Sequence, residues 1–310
     1  MGRYITRRII SAIITFIIII TLSFILIRLA PGGPFSSEKK LPQEVLQNIL
    51  KKYHLDEPLH QQYFRYLSDV ILRFDLGPSY RYKDQSVNDL VKQAFPVSII
   101  LGTLSLGLAM LFGISVGIIS ALKQNKWQDY AAMSVAVLGI SIPLFVVGPI
   151  LMYIFALQLK WLPTSGWITS RAGLATIIMP AFTLMLPYFA YISRMSRGSI
   201  IEVLRSDYVR TARAKGLKES VVIGKHVLKG ALLPVVTYLG PAFSGIITGS
   251  VVVEGIFVIP GIGKLFVDAA LNRDYTTIMG DVILYAIILI SVNLIVDLLY
   301  GLLDPRITYK

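Results

Sequence analysis

Apolar residues in this chain gather into six long runs divided by polar stretches, and do not alternate at the short periods of half-buried elements. The first run, Ile9 to Leu29, has the ~20 residues a helix needs to cross ~30 Å of hydrocarbon. Five more spans are expected at 96–122, 130–157, 174–193, 232–253 and 281–303. The pattern predicts an all-α membrane protein of six transmembrane helices. Because 9–29 outruns the apolar core of a secretory signal and no small-x-small site follows, it is read as a retained signal-anchor.

The polar stretches carry the topology. Arg3, Arg7 and Arg8 precede the first span, and Lys123 and Lys126 lie between the second and third. Segment 194–231 holds nine basic residues, from Arg194 to Lys229, against Glu202, Asp207 and Glu219. Counted over the segments short enough for the rule, which leaves out 31–94, the sides assigned inside carry sixteen Lys/Arg with Arg306 and Lys310, and those assigned outside four, Lys160, Arg171, Lys264 and Arg273. Positive loops resist translocation, so both termini are expected in the cytoplasm, 194–231 is a cytoplasmic loop and 254–280 an extracytoplasmic one.

Residues 31–94 form a polar excursion opened by Pro31-Gly32-Gly33-Pro34, expected outside the membrane. Leu41, Val45, Leu46, Ile49, Leu50 and Tyr53 share one helical face, as do Leu59, Tyr63, Tyr66, Leu67, Val70 and Ile71. Ser86 with Asp89 forms a capping box for a further helix to Phe95. This helical insertion can cap the pathway or meet a soluble delivery protein; the two readings coexist.

Composition narrows the class. At 55% hydrophobic, 15% charged and a mean hydropathy of +0.67, the chain belongs in a bilayer. Its net charge of +12 sits in membrane-flanking loops without a DNA-binding motif, which excludes nucleic acid. The absence of cysteine removes disulfides, thiolate zinc, iron–sulfur clusters and thiol catalysis. His54, His60 and His226 cannot form a triad or a three-His metal site within this chain, so no enzyme is expected here.

Energy must come from elsewhere. Span interiors read as nearly free of charge: Asp281 is placed at an outer edge, and Asp297 about two turns from Asp304. An ion-coupled carrier would place acids or histidine centrally. A phosphate loop needs G-x-x-x-x-G-K-[ST], yet Gly263-Lys264 is followed by Leu265, and position 258 is Val. Glu254, Pro260, Gly261, Ile262 and Gly263 are instead expected in a folded-back loop near the outer mouth of a pathway, with a plain extracellular turn as the alternative. Gly102, Gly107, Gly113 and Gly117 in the second span, Pro143, Gly148 and Pro149 in the third, and Pro180 and Pro187, expected to break the fourth, serve close packing or hinges.

Asp207 to Val236 is the stretch that organises the rest. Ser206 or Asp207 can cap a helix through Ala214, Gly216 can end it, and Glu219-Ser220 can start another running toward Leu228. The expected product is a rigid helix–turn–helix projecting into the cytosol.

That loop, with Arg-Thr-Ala-Arg-Ala-Lys-Gly-Leu at 210–217, resembles the coupling loop of ABC importer permeases of the peptide/dipeptide branch, closest to the oligopeptide permeases. Arg210-Thr211-Ala212 stands where the general pattern has Glu-Ala-Ala, and His226-Val227-Leu228-Lys229 replaces Ile-x-Leu-Pro. APGGPF at 30–35, KYHLDEPL at 52–59, YKDQSVNDLV at 82–91, FPVS at 95–98, GPAFSGIITGS at 240–250, PGIGKLF at 260–266, ALNRDY at 270–275 and the closing DPRI extend the likeness over nearly the whole chain.

The resemblance implies a permease subunit of a bacterial inner-membrane peptide importer. It implies a homologous second permease subunit, two ATPase subunits holding ATP and magnesium, an extracytoplasmic peptide-binding protein, and no cofactor in this chain. Ala212, Arg213, Ala214, Lys215, Gly216, Leu217, Lys218 and Glu219 are expected to dock on an ATPase subunit; anchoring of the arginines on membrane lipid headgroups is the alternative. A secondary peptide carrier and a non-transporting scaffold stay open as rival functions.

Overall fold

The structure, a computed structural model, describes the backbone of residues 2–29, 47, 50–51 and 53–303 and the side chains of 6–29, 47, 50–51, 53–247 and 250–295. The expected helical face over Leu41, Val45, Leu46 and Ile49, the Pro31-Gly32-Gly33-Pro34 turn, the side chain of Asp297 and the closing DPRI lie outside what is described.

Among the described residues the regular structure is helical. α1 is Gly2–Leu29, α2 Leu59–Ser68 with a π turn over Asp69–Arg73, and α3 Val87–Leu122. α4 (Trp127–Ser141) and α5 (Leu144–Leu151, extended by a π turn over Met152–Gln158) precede α6, Ala175–Leu204. α7 (Asp207–Ala214), α8 (Glu219–Val221), a π turn over Val222–Val227 and α9 (Leu228–Ala231) lead into α10, Leu233–Gly249. α11 (Val251–Phe257), α12 (Ile262–Leu271) and α13 (Tyr275–Leu303) complete the order.

Four of these helices contain stretches long and apolar enough to cross a membrane: Thr6–Leu29, Val87–Leu122, Ala175–Leu204 and Tyr275–Ile295. Two bent pairs raise the number to six, α4 with Leu144–Gln158 at 103° and Glu219–Ala231 with Leu233–Ile247 at 48°. The expected third span is therefore broken. Pro143 disfavours helical geometry in the residue before it, and Ile142 is extended, with ψ 121°.

Elsewhere prolines do not interrupt. α6 continues unbroken through buried Pro180 and half-buried Pro187, against the expectation of a break there. It also continues beyond residue 193, so that Arg194 and Arg197 stand on a helix and not in the loop. The Ser86–Asp89 capping box forms, with Asp89 N–H donating to Ser86 Oγ and the hydroxyl donating to the carboxylate. The helix it starts passes Phe95 and Pro96 and becomes the span itself.

The chain divides into two compact bodies. One is formed by the chain up to Val97 and by Pro260–Leu294. Its core joins Ile20, Val70 and Ile283, with Tyr66 and Leu67 of α2 packed against them, while Leu59 and Ile71, expected on the same face, are exposed. Tyr63 meets Thr21 by a 2.8 Å hydroxyl hydrogen bond. Buried Asp274 gathers Ser79 Oγ at 2.5 Å, Thr277 Oγ1 at 2.8 Å, and Tyr80 N–H and Thr276 Oγ1 at 3.0 Å. Tyr80 lies against Arg28, and burial pushes its hydroxyl up to about 12, with Arg28 opposing the shift.

The other body comprises Ser98–Ile259 and Ile295–Leu303, and in it α4 lies along α6. Small residues set that spacing: Gly139 of α4 lies against the Leu186 carbonyl of α6, so that an added Cβ would stand 3.1 Å from it. Farther along α6, a Cβ on Gly117 would fall 2.5 Å from the Ser196 Cβ. Gly107, by contrast, faces no neighbour within 4 Å.

Candidate functional site

The basic stretch after α6 folds into a short elbow. α6 ends at Leu204, and α7 starts at Asp207 with Ser206 in extended geometry at its N-terminal boundary. Ser206 does not cap α7, however: its hydroxyl donates to the Val203 carbonyl at 2.6 Å. Gly216, with φ +75°, turns the chain after α7 in the left-handed region that glycine occupies without strain. Its N–H bonds the Arg213 carbonyl at 2.9 Å, and α8 opens at Glu219.

A salt bridge closes the turn. Arg213 donates Nη2 to Glu219 Oε1 at 2.6 Å and Nε to Oε2 at 3.2 Å. Both side chains are partly exposed, so the pair fixes geometry more than it adds stability. Lys215 and Lys218 take part in no ion pair among the described residues, leaving the tip positive.

The elbow has a buried root and an open tip. Val209 and Ala212 of α7 enter a core with Ala121 of α3, Ile200 of α6, Val222, Val227 and Ala231. Arg213, Ala214, Lys215, Gly216, Leu217, Lys218 and Glu219 are exposed, with Leu217 presenting an apolar side chain 40% open to solvent. Ala212 alone of the eight predicted docking residues is buried, and acts as part of the root. Helical spacing brings Val209 and Ala212, three residues apart, onto the same inward face.

The predicted outer-mouth residues take a different form from a folded-back loop. Glu254 lies inside α11, fully buried, its Oε1 accepting Ser98 Oγ at 2.6 Å and Ser250 Oγ at 2.7 Å. Pro260 is exposed; Gly261, Ile262 and Gly263 are buried and begin α12. Ile262 and Leu265 pack with Leu90 and Ala94 of α3, and the amphipathic run after Gly261 therefore has an apolar surface to fold on. Lys264 pairs with Asp268 at 2.5 Å one turn on.

Sequence reading missed the buried acids. Asp129, Glu254, Asp274 and Asp281 are all 2% exposed or less, a burial that hydropathy did not announce. Asp281 is fully buried within α13. Asp129 is held by Arg197 in a fork, Nε to Oδ1 and Nη2 to Oδ2, both at 2.7 Å. Arg197 stands 68 positions away, and no local spacing announces the pair. The available signal was Arg197 itself, a charge on the helical continuation of an apolar run, which calls for a partner.

Among the described residues no three His, Cys, Asp or Glu side chains gather as a metal site would require. What the arrangement offers is mechanical: a rigid, basic, exposed elbow rooted in the ends of α3 and α6.

Comparison with known proteins agrees with that picture. Residues 113–309 match the family described as Binding-protein-dependent transport system inner membrane component, and residues 1–102 match its N-terminal companion. The chain is 52% identical over 310 residues to the oligopeptide transport system permease protein OppB of Haemophilus influenzae, covering 100% of both. It is 52% identical over 309 residues to OppB of Escherichia coli K12, again over 100% of both chains. To the dipeptide transport system permease protein DppB of Bacillus subtilis it is 46% identical, over 99% of this chain and 98% of the other. In fold it is similar to a chain of an amino acid ABC transporter crystallised with histidines, with TM-score 0.52 at 17% identity, over 71% of this chain and 95% of that one. A chain of the inward-facing MetNI methionine ABC transporter gives TM-score 0.55 at 14% identity, over 70% and 97%.

Proposed function

We propose that this chain, which belongs to the family of binding-protein-dependent transport system inner membrane components, is the permease subunit of an ATP-driven oligopeptide importer in a bacterial inner membrane. One observation carries the reading: the 52% identity to oligopeptide permeases runs over the whole of both chains, elbow included. Neither a secondary carrier nor a passive scaffold fits relatives and fold neighbours that are ABC transporter membrane subunits.

In this reading the chain forms half of the translocation pathway and pairs with a homologous permease chain. Two ATPase subunits bind ATP and magnesium, and an extracytoplasmic protein delivers peptide; this chain supplies no catalytic group. Residues 31–94 and 254–280 face outward and 194–231 faces the cytosol, as the distribution of Lys/Arg supports. The elbow tip, Arg213 to Glu219, docks on an ATPase subunit. Exposed Leu217 gives that contact an apolar anchor, and Lys215 and Lys218 give it charge. When the ATPases close on ATP, the elbow moves and the spans switch between outward and inward access.

The test is reconstitution of the complete transporter in proteoliposomes. Peptide uptake that requires both ATP and the binding protein is expected. Uptake driven by an imposed proton gradient without ATP would overturn the reading.

A further inference from the structure

We infer that the Asp129–Arg197 pair is a positioning strut that carries motion of the elbow into the spans. The inference rests on the permease reading above and names residues that reading does not use.

The geometry is that of a joint among three helices. Asp129 opens α4, and Arg197 stands on α6 one turn before Ile200. Ser120, near the end of α3, donates its hydroxyl to Asp129 Oδ1, and Asn125 in the α3–α4 turn donates its N–H to Oδ2 at 2.9 Å. One carboxylate thus receives donors from α3, from the turn and from both arms of a guanidinium on α6. The forked Arg contact fixes direction as well as distance, which a single Lys ammonium would not. Asp129 is 2% exposed, and removing Arg197 would strand its buried carboxylate.

The joint adjoins the root of the elbow. Ala121 follows Ser120, and Ile200 follows Arg197 by one turn; both belong to the core that holds Val209 and Ala212. α3 and α6 are also pressed together here, since Gly117 admits no side chain against Ser196. A push on the elbow tip therefore meets no soft segment between α7 and the first turn of α4. A pair kept only for stability could sit anywhere along α4 and α6; this one lies where the load enters.

The chain contains no cysteine, so single labels can be placed at will. Spin labels at Trp127→Cys and Arg210→Cys, both exposed positions and both outside the docking tip, report on α4 and on α7 of the elbow in the intact transporter. With Asp129 and Arg197 intact, the mean label separation is expected to stay the same with and without ATP. In Arg197→Lys and Asp129→Asn it is expected to broaden and to change with nucleotide. Peptide moved per ATP hydrolysed should fall about tenfold in these variants while the ATPase subunits still co-purify, within the range of coupling changes that mutations between sites produce. The exchange Asp129→Arg with Arg197→Asp should recover part of that ratio.

A nucleotide-dependent separation with the strut intact would overturn the inference, as would unchanged separation and coupling in both variants. Loss of ATPase subunits in step with uptake would show a merely structural pair and overturn it too. The label measurement does not depend on the cargo. A transporter that moves no peptide but keeps the separation fixed would sink the peptide reading and leave the strut standing.

Discussion

Arg213 and Glu219 grip each other across Gly216, two hydrogen bonds at 2.6 and 3.2 Å bridging the six residues of the elbow. An exposed pair of this kind adds little to stability, so its purpose is better sought in shape. Reversing one partner, as in Arg213→Glu or Glu219→Arg, should leave the amount of protein in the membrane unchanged and lower peptide uptake several-fold. Restoring opposite charge with both changes together should recover part of the uptake. Quantitative membrane blotting beside uptake assays checks the two halves separately.

Gly216 makes a sharper demand. At φ +75° a proline, whose ring fixes φ near −65°, cannot follow the chain, and the N–H that bonds Arg213 O would be lost as well. Gly216→Pro should abolish uptake with insertion intact. Leu217→Asp should do the same by placing a charge at the large apolar side chain of the tip, while Leu217→Met should be tolerated. Normal uptake by both Gly216→Pro and Leu217→Asp would refute docking through this tip.

The elbow was the most legible part of the chain because its signals are local. Nine basic residues between apolar runs, a glycine after a short helical stretch and an acid opening the next helix all lie within 36 positions. Burial of Ala212 was hidden because it depends on Ala121, nearly a hundred residues away in sequence. Span positions were legible from hydropathy, but not the break at Pro143 or the continuity of α6 through Pro180 and Pro187. A proline in a membrane helix bends the chain only where neighbours do not re-satisfy the freed groups, and neighbours are not written locally. Buried Asp129, Glu254 and Asp274 escaped for the same reason: Ser98, 156 positions from Glu254, is invisible to any window.

Gly117 tests the close approach of α3 and α6. A Cβ there would lie 2.5 Å from Ser196 Cβ and 2.9 Å from the Ser193 carbonyl, and backbone cannot step aside as a flexible side chain can. Gly117→Leu should destabilise the protein by ~1–3 kcal/mol or more, the usual cost of overpacking. Gly107→Ala meets nothing within 4 Å and should be neutral. Thermal aggregation of the two detergent-purified variants, compared with the parent chain, distinguishes them.

Asp274 accepts hydrogen bonds from four residues in a buried site, Ser79, Tyr80, Thr276 and Thr277, and so ties the segment before α3 to the start of α13. Removing the acceptor takes this partner from Ser79, Tyr80 and Thr277, while Thr276 keeps the Pro78 carbonyl at 2.7 Å, and each buried donor so stranded costs ~1–3 kcal/mol. Asp274→Ala should therefore be severely destabilising, whereas Asp274→Asn, which keeps one carbonyl oxygen, should retain part of the network. The effect should be felt first where the segment is exposed: limited proteolysis of the detergent-purified protein should cut Asp274→Ala near residues 75–85 faster than the parent. Equal cutting rates would mean that α1 and α2 hold this segment without help from the carboxylate.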